Sequence, residues 1–186
     1  MVRLAAAIIF VLGLFAAACG GGADENPPPT QQGSTQTPSG QGLDLQAVAI
    51  TLDDLPAGWE LAPTSPPDSL SGFEHSYFAG MEREDGGTVR VGLISGTPES
   101  VEALRADVET SRQETFSAEV LPLDELIPGA RKSVGAVPNV VDEAITFIVG
   151  PVLTTVWVSF PAGSEPEPSA EEIAKLVYDR ILEQPR

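Results

Sequence analysis

The chain has 186 residues, a formal net charge of −17 and one cysteine. Such an acidic protein is repelled by nucleic-acid phosphates and by anionic lipid headgroups, which argues against a nucleic-acid partner and against membrane attachment through a basic surface. A single cysteine excludes an internal disulfide bond, so we expect the stability of the fold to rest on its hydrophobic core.

The first 18 residues have the pattern of a signal peptide. The uncharged apolar run 4–18 follows Arg3 and is shorter than the roughly 20 residues that a membrane-spanning helix needs. It ends in Ala16-Ala17-Ala18, directly before Cys19. Small residues leading into a cysteine behind such a run resemble the lipobox of bacterial lipoproteins.

This resemblance implies a location and a covalent modification. In lipoproteins the cysteine sulfur receives a diacylglycerol, the peptide before it is removed, and the new amino terminus is acylated, often with palmitate. It implies a signal peptide at 1–18, lipidation of Cys19, and a protein held on the outer side of the cell membrane by its lipid anchor. The alternative is an unmodified cysteine after an ordinary cleaved signal peptide.

Residues 19–42 form the predicted tether between the anchor and the rest of the chain. They consist mainly of Gly, Pro, Ser, Thr and Gln, and Ala23 is their one weakly apolar side chain after Cys19. A segment that buries so little apolar surface cannot offset its ordering entropy, so we expect disorder. Residues 43–186 have the length of a single domain.

The first half of this domain predicts a helical turn, a hairpin and a helix. Thr51 can cap a turn over 51–56, and the strands 74–83 and 88–95 are joined by Asp85-Gly86-Gly87. A helix is then predicted from its cap at Thr97 and from Pro98 at its first position. Its apolar stripe comprises Val101, Leu104 and Val108, and its predicted water-facing residues are Arg105 and Glu109.

The second half predicts a further hairpin and a closing helix. Residues 119–138 contain three prolines and give no clear pattern, whereas the strands 144–149 and 152–160 flank Gly150-Pro151. Ser169 and Glu172 form a capping box, and Glu171 is spaced to pair with Lys175 on the helix surface. The buried stripe of this helix comprises Ile173, Leu176, Val177 and Ile181. The order predicts an α+β fold, an antiparallel sheet of two hairpins with helices packed on it.

The segment Leu55-Pro56-Ala57-Gly58-Trp59 resembles a motif near the start of extracytoplasmic domains in small bacterial lipoproteins and in the sensor-like domains of some actinobacterial membrane kinases. The similarity extends over 51–182 in the order of its elements. It implies an antiparallel sheet covered by helices, in a family where many members have no established ligand. Some members carry disulfides, which this chain lacks.

Two tryptophans are the candidate ligand contacts. Trp59 follows Pro56 and Gly58, so its indole either fills the core against the sheet or stacks on a ligand. Trp157 lies in the middle of a predicted strand, on the face opposite Val156 and Val158. It is either part of the core, half covered by a helix, or a ligand contact.

The sequence contains no recognisable catalytic or metal-binding motif. His75 is the single histidine and there is no Gly-x-Ser-x-Gly motif, so a nucleophile paired with a histidine base is disfavoured. One histidine and one lipidated cysteine cannot form a transition-metal site of the usual kind, and we expect no cofactor. Arg131-Lys132 could meet an anionic ligand or form part of a solvated turn.

These observations predict a membrane-anchored envelope lipoprotein whose α+β domain binds a small apolar ligand or an envelope protein without catalysing a reaction. One alternative is a structural or assembly factor that acts through protein contacts at an exposed sheet edge. A third is an envelope hydrolase that uses carboxylates alone.

Overall fold

A computed structural model of the protein describes residues 43–64, 73–164 and 166–184. The predicted signal peptide (1–18), the lipidated Cys19 and the tether (19–42) lie outside these residues and stay predictions. No described helix combines the length and the hydropathy needed to cross a bilayer.

A seven-stranded antiparallel sheet organises the domain, with the strand order β1-β2-β3-β7-β6-β5-β4. The strands are β1 Trp59–Leu61, β2 His75–Arg83, β3 Thr88–Ser95, β4 Glu119–Pro122, β5 Arg131–Val137, β6 Val140–Val149 and β7 Val152–Pro161. The helices are α1 Leu45–Val48, α2 Pro98–Phe116 and α3 Ala170–Glu183, with a 3-10 helix at Leu52–Asp54. The α+β class with an antiparallel sheet is therefore confirmed.

Both predicted hairpins are present, as β2–β3 and β6–β7, and they meet at the centre of the sheet through the pairing of β3 with β7. The sheet is larger than two hairpins, because β1 extends one side while β5 and β4 extend the other. Residues 119–138, which gave no pattern in the sequence, contribute β4, a turn and all of β5.

The two faces of the sheet are covered by different helices. On one, the α3 face, Val91 and Val156 pack in the main core with Ile173 and Val177 of α3. On the other, the α2 face, Ile94 and Leu153 pack against α2; the residues that α2 contributes to this cluster are Val101 and Leu104. Because successive strand residues point to opposite faces, β3 and β7 are buried on both sides where α2 crosses them.

The predicted helix boundaries are confirmed by their caps. The amide of Ser100 donates to Thr97 Oγ1 at 3.2 Å, and Pro98 opens α2. Ser169 and Glu172 form the capping box of α3. Thr51 and Asp54 form a second capping box on the 3-10 helix. Side-chain oxygens at these positions accept from backbone amides that have no partner within the helix.

Two expectations about surface charges are wrong. Arg105 and Glu109 do not face water, because both side chains are only 18% exposed and join an ion-pair cluster with Arg131 of β5. Glu171 pairs with Lys132 of β5 at 2.6 Å rather than with Lys175. In each case the sheet supplies a partner from a distant part of the chain, which spacing along one helix cannot indicate.

Candidate binding surface

The α2 face carries two aromatic side chains beside α2, and Phe78 also packs against the cluster that Ile94 and Leu153 form with this helix. Phe78 of β2 is paired directly with Gly92 of β3, and Trp157 of β7 is paired with Arg90, two residues from Gly92 on the same face. The rings of Phe78 and Trp157 are both half-buried. We refer to Phe78, Arg90, Gly92 and Trp157 as the aromatic surface.

Gly92 allows the two rings to approach the backbone of β3. A Cβ atom at this position would lie 3.0 Å from Phe78 Cε1 and 3.3 Å from Trp157 Cζ3. Both distances are shorter than ordinary contacts of a Cβ atom. Glycine within a strand weakens the strand but permits close approach, and aromatic rings over such a glycine restore part of the packing. The result is a stretch of β3 with an aromatic ring close to the backbone on each side of Gly92.

Arg90 supplies the charge next to these rings. Its Cα partners are Trp157 on one side and Gly80 on the other, and directly opposed residues in an antiparallel pair have neighbouring side chains on one face. Arg90 is exposed. Gly80 is buried, and the methyl group of Thr64 and the Cβ of Ala62 lie 2.6 and 3.6 Å from where its own Cβ would stand.

A network of polar groups fixes the end of α2 on the same face. Arg112 Nη2 lies 2.6 Å from Asp142 Oδ1 of β6, and Arg112 Nε donates to Ser133 Oγ of β5. Asp142 in turn accepts from Ser159 Oγ of β7 at 2.6 Å. The Arg112 side chain is only 7% exposed and also lies 5.2 Å from the ring of Phe116. These contacts hold α2 in one position across three strands, which gives the aromatic surface a rigid border.

Trp59, the other predicted ligand contact, lies elsewhere. It begins β1, it is only 8% exposed, and it belongs to the main core. The guanidinium of Arg83 lies 5.2 Å from the centre of its ring, and Asp85 holds Arg83 there. The Trp59 indole N–H finds no hydrogen-bond partner among the described residues. Trp59 therefore lies in the main core, whereas Trp157 is only partly buried.

Among the described residues, Trp157 lines neither of two shallow clefts. One, of about 340 Å³, lies at the start of α3 between Asp54 and Glu167, with Ile173 at its base. The other, of about 400 Å³, is bordered by Gly58 and Arg83. Both are open to solvent.

Asp54 and Glu172, two of the charged side chains at the first cleft, already have partners. Arg180 Nη2 contacts Asp54 Oδ1 at 2.5 Å, and Arg180 Nη1 donates to the carbonyl of Ala49 at 2.9 Å. Partial burial disfavours ionisation of Asp54, but hydrogen bonds from Arg180 and Thr51 outweigh it and hold the pKa of this carboxyl below its ordinary value. The hydrogen bonds of Ser169 likewise lower the pKa of Glu172. Carboxylates held in the charged form in this way do not act as general acids at neutral pH.

The other side chains that could act in catalysis or bind a charged ligand lie in different parts of the fold. His75 is exposed at the start of β2, and Lys132 is engaged by Glu143 and Glu171. Burial disfavours the charge of Lys132, yet these two carboxylates raise the pKa of its ammonium group. Within residues 43–64, 73–164 and 166–184, no three His, Cys, Asp or Glu residues are grouped to hold a metal ion.

The sequence pointed to Trp157 but missed Phe78, Gly92, Arg90 and the buried Arg112. A signal for part of the surface was present, because a glycine inside a strand of Val, Leu and Ile residues marks a close approach. Identifying what approaches it requires the register of β2 and β7 against β3. Nothing in the sequence indicates that Arg112 is buried, since an arginine on a predicted helix is normally exposed to solvent.

Comparison with known proteins gives few relatives. No protein-family model matches the chain, and no curated protein matches it significantly. Similar solved structures include a protein from Bacteroides thetaiotaomicron VPI-5482, with 14% identity and a TM-score of 0.41. The match covers 65% of this chain, which spans 41% of that protein's length. A GTP binding regulator from Thermotoga maritima has 19% identity and a TM-score of 0.41, with 75% of this chain and 93% of that one covered.

Proposed function

We propose that the protein is a lipid-anchored, non-enzymatic binding domain outside the cytoplasm, which recognises its ligand or partner through the aromatic surface. Cys19 carries the anchor, and 19–42 links it to the folded domain. The observation that carries the binding role is the pair of half-buried rings of Phe78 and Trp157 on either side of Gly92.

The shape of this surface suits recognition by contact rather than catalysis. Aromatic rings bury a large area when a ligand covers them and lose little conformational entropy, which is one reason why Trp is enriched where binding energy concentrates. The rigid border formed by Arg112 and Asp142 keeps this surface in place before a ligand arrives.

A role in assembly through the sheet edges has some support of its own. Leu61 of β1 and Leu121 of β4 lie on the two outer strands and are 51% and 47% exposed. These strands are short, however, at three and four residues, and β4 ends in Pro122. Short edges and prolines limit the addition of another strand. The aromatic surface is therefore the better candidate.

Native mass spectrometry of the full chain purified from its own membrane tests the binding role. We expect a bound mass on the wild-type protein that is lost from Trp157→Ala and retained by Leu121→Ala, the control on the sheet edge. Loss from Leu121→Ala alone would favour the assembly role. A wild-type protein with nothing bound would contradict binding at the aromatic surface.

A further inference from the structure

The first cleft, at the start of α3, combines apolar side chains with a surplus of carboxylates. Its lining residues Pro168 and Ile173 are buried, and Leu176 of α3 is half-buried beside them. The charged residues that line it in the described part of the chain are all carboxylates, namely Asp54, Glu167 and Glu172. With about 340 Å³ and an opening to solvent, the cleft fits a side chain of another protein better than a small molecule that needs enclosure.

The negative charge at this cleft is only partly balanced by the domain's own cations. Asp54 is paired with Arg180, but Glu167 is exposed and forms no ion pair or hydrogen bond within the described residues. The pKa of Arg83 is raised mainly by its hydrogen bond with Asp85 and to a smaller extent by the charge of Glu167. Because Asp85 holds Arg83, the carboxylate of Glu167 is available to a cation from outside the chain.

Glu172 adds a second carboxylate and prevents the helix end from binding an anion. Its Oε2 atom accepts from the amide and the hydroxyl of Ser169, both at 2.9 Å, whereas its Oε1 atom has no partner among the described residues. These hydrogen bonds lower the pKa of Glu172, so it is ionised at neutral pH. The start of a helix ordinarily attracts anions, but here the helix's own carboxylate occupies that place.

We propose that the first cleft receives a lysine or arginine side chain from a basic segment of another protein. Its methylene stem lies against Ile173 and Leu176, and its cation lies at Glu167 and Glu172. Side chains of this kind have an apolar stem and a charged end, which matches apolar residues bordered by carboxylates. Since α3 covers the opposite side of the sheet from the aromatic surface, this site is separate from the proposed binding role and does not depend on it.

The charge of the chain argues against other occupants of the cleft. A net charge of −17 repels a second copy of the chain and an anionic lipid surface alike. A second copy also has few cations to offer, because most of its arginines and lysines are already in ion pairs. Those in ion pairs are Arg83, Arg105, Arg112, Arg131, Lys132, Lys175 and Arg180.

Two peptides that differ in one group test this inference on the full chain, held in a neutral detergent. The peptide Ac-Ala-Lys-Ala-NH2 carries an ammonium group, which its counterpart with norleucine in place of lysine lacks. Titration followed by NMR reports on the backbone amides of Ile173 and Leu176. We expect the lysine peptide to shift these resonances with a Kd about threefold lower than that of the norleucine peptide, which is the size of effect that an exposed ion pair gives.

Matched variants separate the cleft from the overall charge of the chain. Glu167→Gln should raise the Kd of the lysine peptide about threefold, because it removes a carboxylate that contacts the cation. Glu114→Gln removes the same charge from an exposed position on α2 and should leave this Kd nearly unchanged. Leu176→Ala should also weaken binding, since it removes apolar contact area, whereas Leu182→Ala, at an exposed position of the same helix, should not.

Any of four results would overturn the inference. Equal binding of the two peptides to the wild-type protein would show that the carboxylates attract no cation. Equal effects of Glu167→Gln and Glu114→Gln would show that the peptide follows the net charge alone, and equal effects of Leu176→Ala and Leu182→Ala would show that no stem lies in the cleft. Self-association of the wild-type protein in sedimentation velocity, abolished by Glu167→Gln, would make the occupant a second copy. The binding role of the aromatic surface stands in each case, because Trp157→Ala tests it separately.

Discussion

Phe78 and Trp157 meet over the bare backbone of Gly92, with ring atoms 3.0 and 3.3 Å from where a Cβ would stand. Phe78 belongs to β2 and Trp157 to β7, the two neighbours of β3 in the sheet. The aromatic surface is thus built from three strands and exists only in the folded sheet. Its form depends on the absence of a side chain at one position.

Gly92→Ala should displace the rings without unfolding the protein. The added methyl group requires Phe78 and Trp157 to move by a few tenths of an ångström. Both rings are half-buried and can move outward, and alanine reduces the entropy of the unfolded chain, so we expect the free energy of unfolding to change by less than about 1 kcal/mol. The Trp157 indole resonance should shift, while that of Trp59 stays. An unchanged Trp157 resonance would contradict the contact.

Arg112→Met should destabilise the domain strongly. It removes the ion-pair partner of Asp142, whose side chain is 16% exposed. It also removes the hydrogen bond that Arg112 Nε donates to Ser133 Oγ. Breaking a buried ion pair from one side typically costs about 3–5 kcal/mol. Urea unfolding measures this change.

Lys175→Met is the matched control for that experiment. Lys175 and Asp179 form an ion pair within α3 whose side chains are 48% and 45% exposed. A pair so exposed contributes about 0.5 kcal/mol or less. Equal losses in the two variants would show that the Arg112 network does not hold α2 on the sheet.

The contact between Asp54 and Arg180 should weaken in acid. Because the folded pKa of Asp54 is below its ordinary value, its stabilising contribution is present above the unfolded pKa of about 4 and is lost as the pH falls through the folded value. A double-mutant cycle of Asp54→Asn and Arg180→Met should give a coupling energy of about 1–2 kcal/mol at pH 6.

That coupling energy should decrease as the pH falls through the folded pKa of Asp54, because protonation removes the charge that Arg180 contacts. Unfolding in urea at each pH gives the four free energies that the cycle needs. A coupling energy that is the same at pH 6 and pH 2 would mean that the two side chains do not interact as ions.

Local patterns in the sequence were sufficient to predict the central elements of the fold. Strand β3 matches its predicted bounds, and the caps at Thr97 and Ser169 mark the starts of α2 and α3. These features depend on hydrogen bonds and side-chain spacing within a few residues, which a sequence displays directly.

The outer strands were not predictable in the same way. The short β1 and β4 acquire their conformation by pairing with β2 and β5, and prolines near both mask any alternation. The aromatic surface required the register of three strands that are distant in sequence. Trp157 alone was foreseen as a candidate, since a large ring in mid-strand is visible without knowing its neighbours.

Membrane fractionation of cells that express the full chain tests the account most directly, because binding outside the membrane presupposes the lipid anchor. We predict that the wild-type protein stays with the membrane pellet through a high-salt wash and that Cys19→Ser appears in the soluble fraction. Salt should not release the wild-type protein, since an acidic chain has no electrostatic attachment to screen. A Cys19→Ser protein that remains in the pellet would contradict the account.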